Sequence, residues 1–456
     1  MGRVRMISRW LPAVTVGLLL AGGCAGKRGA QVGVESESLS NLKKEVQTAP
    51  ENVKLRLKLV LAYLDADSNA AALREAKRAY SADSTSAAAQ AFLGICQLRN
   101  RQEKTGLEHV VAALSDPTLP AETVSQLGVL LGHPFHVEAI AAGQASAAFP
   151  YPSPDGSKIA FQSVENGTWD IYVLDLKTGE RKQLTSSGAA EESPTFSPNG
   201  KVIAYTKARS PASEVGQLGQ RDIYLIPVDG GSEVAAVTDS ADDWYPRFSN
   251  DGKRLFFVSE RDDRRAVPPS DKLSDIYLLD LAKKSVTRLT NNDYDDNAPA
   301  PFEHDRRLLF TANKGGHYDL FVMDLRKMES VPLLTAAEVG LEDLGSPAVT
   351  TDGSRIVFVG ILDGNYDIYL LDRNQSLPQR LTRASAVDHA PVFDHAGERI
   401  FFHSNRTGRF GIYMIDLRKP VQREELLGVV QEELASVKEG GVIEKLQDAS
   451  RRYVGG

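Results

Sequence analysis

Pro150, Ser153-Pro154-Asp155-Gly156, Ile159-Ala160-Phe161, Asp170-Ile171-Tyr172 and Leu184-Thr185 form a phrase that the chain repeats. Its opening prolines are Pro150, Pro194, Pro246, Pro299, Pro347 and Pro391, at gaps of 44, 52, 53, 48 and 44 residues. The turn recurs as Ser197-Pro198-Asn199-Gly200, Ser249-Asn250-Asp251-Gly252 and Asp352-Gly353. Asn-Gly and Asp-Gly suit the positive φ of tight hairpins. The fourth turn departs from this, reading His304-Asp305-Arg306 with no glycine. The apolar strand recurs as Val202-Ile203-Ala204-Tyr205, Leu255-Phe256-Phe257 and Ile400-Phe401-Phe402. Then come Asp222-Ile223-Tyr224, Asp275-Ile276-Tyr277, Asp319-Leu320-Phe321, Asp367-Ile368-Tyr369 and, without the acid, Gly411-Ile412-Tyr413. Leu289-Thr290, Leu334-Thr335 and Leu381-Thr382 close later copies.

Four short strands per ~45 residues is the unit of a propeller blade. One such sheet cannot bury both faces, whereas a ring of stacked sheets can, and it leaves few open edges. Six copies predict an all-β six-bladed propeller over residues 135–420. The ring needs a closing strand. Ile140 stands ten residues before Pro150, as Leu184 stands ten before Pro194, so Glu138-Ala139-Ile140-Ala141 is expected as the outer strand of the sixth blade. Glu425-Leu426-Leu427 is the rival segment. The tail from Gln422 to Tyr453 reads as helix, packed on the ring or on a partner.

Ahead of the ring the grammar is helical. Leucines and alanines recur at three- and four-residue spacing from Leu42 to Leu131. Leu59, Leu93 and Leu127 are 34 residues apart, and Gly94 and Gly128 follow the last two. These offsets resemble tetratricopeptide repeats over 42–134, with a third unit that stops at His133-Pro134. A plain antiparallel bundle would give similar spacing. Cys96 falls on a helix and reads as a packed core thiol. The chain is therefore multidomain: an all-α helical-repeat domain precedes the propeller, and residues 421–456 form a tail.

Residues 1–23 read as a targeting segment. Arg3, Arg5 and Arg9 precede an apolar run from Trp10 to Leu20, too short for the ~20 residues of a membrane span. Leu20-Ala21-Gly22-Gly23-Cys24 resembles a bacterial lipoprotein signal, which implies cleavage before Cys24 and acylation of that cysteine. An ordinary secretory signal is the alternative. Ala25 after the cysteine is similar to sequences sorted to the outer membrane, facing the periplasm. Residues 24–41, rich in Gly, Ser and Glu, read as a flexible tether. With two cysteines there is no disulfide framework. The net charge of −7 argues against nucleic acid, whose phosphates need a basic face.

The repeated phrase resembles the WD-like repeats of the TolB family, which form the six-bladed propeller of a periplasmic component of the Tol–Pal envelope system. The resemblance covers 135–420. It departs ahead of the ring, where that family has an α/β domain and this chain has helices. The blades mark fold more than function.

The loops entering the inner strands carry Glu191 and Glu192, Asp242 and Asp243, Asp295 and Asp296, Glu342 and Asp343, and Asp388, with Trp244, Tyr245, Asn297 and His389 among them. On the six-fold reading these ring one mouth of the channel. A rim of one sign would draw a cationic peptide or a metal ion. Solvated loop acids are the plainer account. Single loop acids could bind Ca²⁺, which takes about 6–8 oxygen ligands; no other cofactor is expected. Two long insertions, Lys207 to Arg221 and Glu260 to Ser274, add rim for partner contacts. No Gly-x-Ser-x-Gly elbow is present, and His389, His395 and His403 share a blade without being expected to converge. The expected function is a lipid-anchored periplasmic scaffold binding envelope proteins or peptides, not an enzyme. A metal-assisted polysaccharide lyase or hydrolase is the alternative.

Overall fold

The computed structural model describes residues 31–143, 145–211, 220–267, 271–375, 377–383 and 386–438. They form two units: a helical one from residues 31–136 and 420–438, and a β unit from residues 137–419. Residues 1–30, with the signal segment and Cys24, lie outside the described residues.

The β unit is six four-stranded antiparallel sheets, the blades of a propeller. In five of them the strands run in chain order. The sixth is built from Asp388–Phe393, Arg399–Ser404 and Gly411–Pro420, and its outer strand is Phe135–Ala141 from ahead of the first repeat. The ring closes as the ten-residue offset predicts. The rival Glu425-Leu426-Leu427 lies inside a helix, Arg423–Lys438.

Each repeat proline sits at a β-bulge in its inner strand. Ala148 pairs with Gln162 and Tyr151 with Ala160, so Phe149 and Pro150 together face Phe161. The same two-against-one step recurs opposite Tyr205, Phe257, Phe310, Phe358 and Phe402. A bulge is where a strand tolerates a proline, since no ladder donor is needed there. The residue before every proline is left-handed: Phe149, Ser193, Tyr245, Ala298, Ser346 and Ala390 have φ between +43° and +58°. That conformation costs an L-residue about 1–2 kcal/mol, so packing must hold it. The aromatics facing the bulges supply that packing. Each stacks on the aromatic of the following strand, from Phe161 on Tyr172 to Phe402 on Tyr413, with ring centroids 5.6–6.2 Å apart.

The turn after the bulge is tied by its own side chains. Ser153 Oγ donates to Asp155 Oδ1 at 2.5 Å and accepts from Lys158 N at 2.9 Å, and Gly156 has φ +68°. The fourth turn manages without glycine by holding Glu303, His304 and Asp305 all left-handed, at φ +50°, +54° and +59°. Asp305 Oδ1 accepts from Asn250 N and Nδ2 of the previous blade at 2.8 and 2.9 Å. The insertion expected from Lys207 to Arg221 is strand at both of its described ends. One strand runs Val202–Pro211 and its partner starts at Arg221; 212–219 lie outside the described residues. In the other insertion Asp263 gathers Arg265 and the Leu273 N–H, and the Arg265 hydrogen bonds hold its carboxyl well below the usual range.

The helical unit holds α1 (Gln31–Thr48), α2 (Val53–Asp65), α3 (Asn69–Ala82), α4 (Ala87–Arg99), α5 (Glu103–Ser115) and α6 (Ala121–Leu131). Helix begins at Gln31, within the stretch expected as tether. Asn52 and Ser86 cap α2 and α4, accepting from Leu55 N and Ala89 N. Leu59, Leu93 and Leu127 are all buried, and Leu93 and Leu127 share one core. Gly94 lets α4 meet α5: a Cβ there would lie 2.7 Å from Gly106 O and Val110 Cγ2. Gly128 likewise leaves room for Val421. The tail belongs to the helical unit. Leu426, Val430 and Leu434 join the helical core, and Arg423 donates to the Asp116 and Leu119 carbonyls. Cys96 is buried in that core, which pushes its thiol up to about 12 and keeps it protonated.

Candidate functional site: the channel face of the inner strands

The six inner strands present equivalent positions, counted back from the repeat proline. One residue back stand the left-handed residues. Phe149 of the first blade meets Tyr245 of the third, centroids 6.2 Å apart. This contact skips the second blade and so joins the inner strands of two blades that are not neighbours. Two residues further along, Arg247 of the third blade lies over the Tyr151 ring of the first, at 5.1 Å, and over Tyr245 at 4.7 Å. Phe149 also meets His389 at 6.3 Å and His403 at 5.1 Å. The bulge turns these side chains inward from a rigid strand.

Two residues back from the proline stand Glu192, Trp244, Asn297 and His389, all half-buried. Trp244 Nε1 donates to Asn297 Oδ1 at 3.3 Å, and the Arg221 guanidinium covers the indole at 4.9 Å. His389 Nε2 lies 3.4 Å from Ser346 Oγ. Burial pushes Glu192 up, against the pull of Arg221. These four are the expected mouth residues that the structure brings to the channel face.

The other expected acids are not on the rim. Glu191, Asp243, Asp296 and Asp388, three back from the proline, are fully buried in the seams between blades. Asp242, Asp295 and Asp343, four back, accept the backbone N–H of Arg221, Ser274 and Tyr318 from the preceding blade, at 2.9, 2.9 and 2.7 Å. Arg221 also grips Asp242 with Nε and Nη2 at 2.8 and 2.6 Å. Only Glu342 is exposed, accepting from Asp363 N at 3.3 Å. These acids fasten one blade to the next, so the acidic mouth reduces to Glu192. The cause is the bulge: it shifts which residue of the Asp/Glu run points to the axis and which to the seam.

The histidines also differ from expectation. His389 and His403 are cross-strand partners, with rings 5.4 Å apart, whereas His395 sits apart at a turn. His403 Nδ1 accepts the Phe149 N–H at 3.2 Å. Burial pushes His389 down to about 4 and His403 well below its usual value, so both are neutral imidazoles. Among the described residues no group of three His, Cys, Asp or Glu is placed to hold a metal ion. The face can stack, accept and donate hydrogen bonds, and exclude water. Phe149, Tyr151 and Arg247 were missed as site residues, although the position next to each repeat proline marked them.

Residues 153–269 match the family model of the TolB beta propeller domain. An uncharacterized protein of Agrobacterium fabrum is 34% identical over 108 residues, covering 24% of this chain and 34% of that protein. The Tol-Pal system protein TolB of Francisella tularensis subsp. mediasiatica is 30% identical over 217 residues, covering 39% of this chain and 48% of that protein. The chain thus spans a third to a half of the length of these curated relatives. Among solved structures, TolB from Acinetobacter baumannii superposes with a TM-score of 0.42 at 19% identity, over 68% of this chain and 70% of that one. An oligogalacturonate lyase with manganese gives 0.47 at 16%, over 62% and 94%. Six sheets, the repeated phrase and the matched domain lead to one statement: the propeller of this chain is TolB-like.

Proposed function

We propose that this chain is a protein-interaction scaffold of the cell envelope, tethered to the outer membrane by lipid on Cys24, with the channel face as its docking surface. The observation that carries the docking surface is the Phe149–Tyr245 contact between inner strands of non-neighbouring blades, with Trp244 and His389 beside it. Half-buried aromatics with polar handles are the side chains that dominate protein interfaces. Here they are held on rigid strands in strained backbone, which favours binding without rearrangement. Glu192, an acid on the face, suits a partner that brings a cation or a hydrogen-bond donor. Kinship with a Tol-Pal system protein supports the envelope reading. The helical unit, by its resemblance to tetratricopeptide repeats, would offer a second surface for protein.

The test uses the full chain, pulled down from cross-linked envelopes. Trp244→Ala combined with Glu192→Gln is expected to reduce partner recovery at least tenfold. Val331→Asp, on an outer strand, should leave recovery unchanged. Equal recovery from both variants, each melting like wild type, contradicts the docking surface. For the anchor, Cys24→Ser should leave an uncleaved, unlipidated precursor, and normal processing of that variant contradicts it.

A further inference from the structure

Four seams of the ring bury two carboxylates each. One comes from the Asp-Ile-Tyr strand of a blade and one from the inner strand of the next: Asp170 with Glu191, Asp222 with Asp243, Asp275 with Asp296, and Asp367 with Asp388. At three of them arginines bind at least one of the two carboxylates. Arg209 and Arg261 bind Asp222 and Asp243. Arg288 binds Asp275 at 2.5 Å. Arg380 and Arg406 bind Asp367 and Asp388.

The first seam has no arginine. Arg288 and Arg380 stand two residues before the closing threonine, and each Nε also donates to that threonine's carbonyl at 2.9 Å. Gln183 holds the same place in the first blade. Its Nε2 makes both bonds, to Thr185 O at 2.9 Å and to Asp170 Oδ2 at 3.0 Å, but carries no charge. Lys207 is the nearest cation. Its Nζ is 3.6 Å from Glu191 but 2.5 Å from Glu233, which also takes the Tyr205 hydroxyl. Ser187 Oγ donates to Glu191 Oε1. Arg181 faces Tyr172 and is paired to Glu165. What is left is Asp170 Oδ1 and Glu191 Oε2, both buried with no donor. Bare carboxylate oxygens in such a place are strongly disfavoured in the ionised form.

We propose that Asp170 and Glu191 share one proton across the seam between the first and second blades, in the place that an arginine fills in the third and fifth, so that this seam tightens in mild acid and loosens as the proton leaves. The proton, taken from water, sits between Asp170 Oδ1 and Glu191 Oε2 as a single O–H···O hydrogen bond. Burial first, and then the facing Glu191, push Asp170 up to about 6. An opened seam would titrate at about 3.9. The closed seam therefore binds the proton more tightly, and closure weakens as pH rises from the lower value to the higher.

The Glu191 amide reports on the seam, because its N–H donates to Trp169 O of the first blade at 2.8 Å. Amide exchange of the full chain, corrected for intrinsic rate, is measured from pH 4 to 7 in wild type and in Gln183→Arg. Wild-type protection at Glu191 should fall roughly 100-fold relative to the variant, since two pH units of linkage are a hundredfold in an equilibrium constant. Parallel profiles overturn the proposal. Should Gln183→Arg not fold, carboxyl-carbon NMR of wild type decides. Asp170 titrating near pH 6 supports the shared proton, and Asp170 titrating below about 4.5, in the ordinary carboxylate range, overturns it.

Discussion

His389 and Asp296 set opposite limbs of the pH dependence. Burial lowers His389 to about 4, so between about 6.5 and 4 the unfolded chain takes up a proton that the folded chain refuses. Stability is lost as pH falls through that window. His389→Gln should shrink this acid limb of the urea midpoint. Burial raises Asp296 to about 7, so the folded chain keeps a proton that the unfolded chain releases from about 3.9 upward. That contribution is lost as pH rises to about 7. Asn at 296 can still accept from Asn292 Nδ2, which donates to Asp296 Oδ2 at 2.6 Å, and it offers an N–H to the unpartnered Oδ1 side. Asp296→Asn should gain on wild type as pH rises from 4 to 7 and then hold that gain. Parallel profiles from pH 4 to 8 would refute the buried-acid account of this seam. The acids themselves were legible in the sequence. Their direction was not, because one residue of slip in a strand moves a side chain to the other face, and the bulge makes such a slip.

At the scale of elements, the phrase read from Pro150 to Thr185 is a mechanical unit. The proline marks the bulge, the Ser-x-Asp-Gly turn sets the hairpin, and the aromatic opposite the proline holds the bulge shut. Phe257 is fully buried, stacked on Tyr277 and covered by Arg261. Phe257→Ala should cost about 3–5 kcal/mol by urea denaturation, and a loss under 1 kcal/mol would mean that the bulge is held by something else. In the helical unit, Gly94→Ala puts a methyl on Gly106 O and Val110. It should cost about 1–3 kcal/mol, while the melting of the β unit stays in place. Spacing exposed the 34-residue period because the same close approach recurs at Gly94 and Gly128. It could not expose the partner at Gly128, since Val421 comes from nearly 300 residues away in the chain.

For the whole molecule, two features join distant parts of the chain. The first strand, Phe135–Ala141, completes the last blade, and the tail helix returns to the helical core. The first was predictable, since the offset from Leu184 to Pro194 is repeated from Ile140 to Pro150. The second was not, because an amphipathic tail does not name its partner. The repeat also explains why an acidic rim was expected: acids recur before five of the six inner strands, and repetition alone cannot separate a seam from a channel. What remains on the channel face is chiefly aromatic, and that is the central functional claim. A photo-crosslinking side chain placed at Tyr245, on the channel face, and at Val331, 60% exposed on an outer strand, compares channel and exterior in the same envelope. The account predicts a discrete adduct from position 245 that competes with added unlabelled protein, and none from 331; adducts from 331 alone, or equally from both, would contradict it.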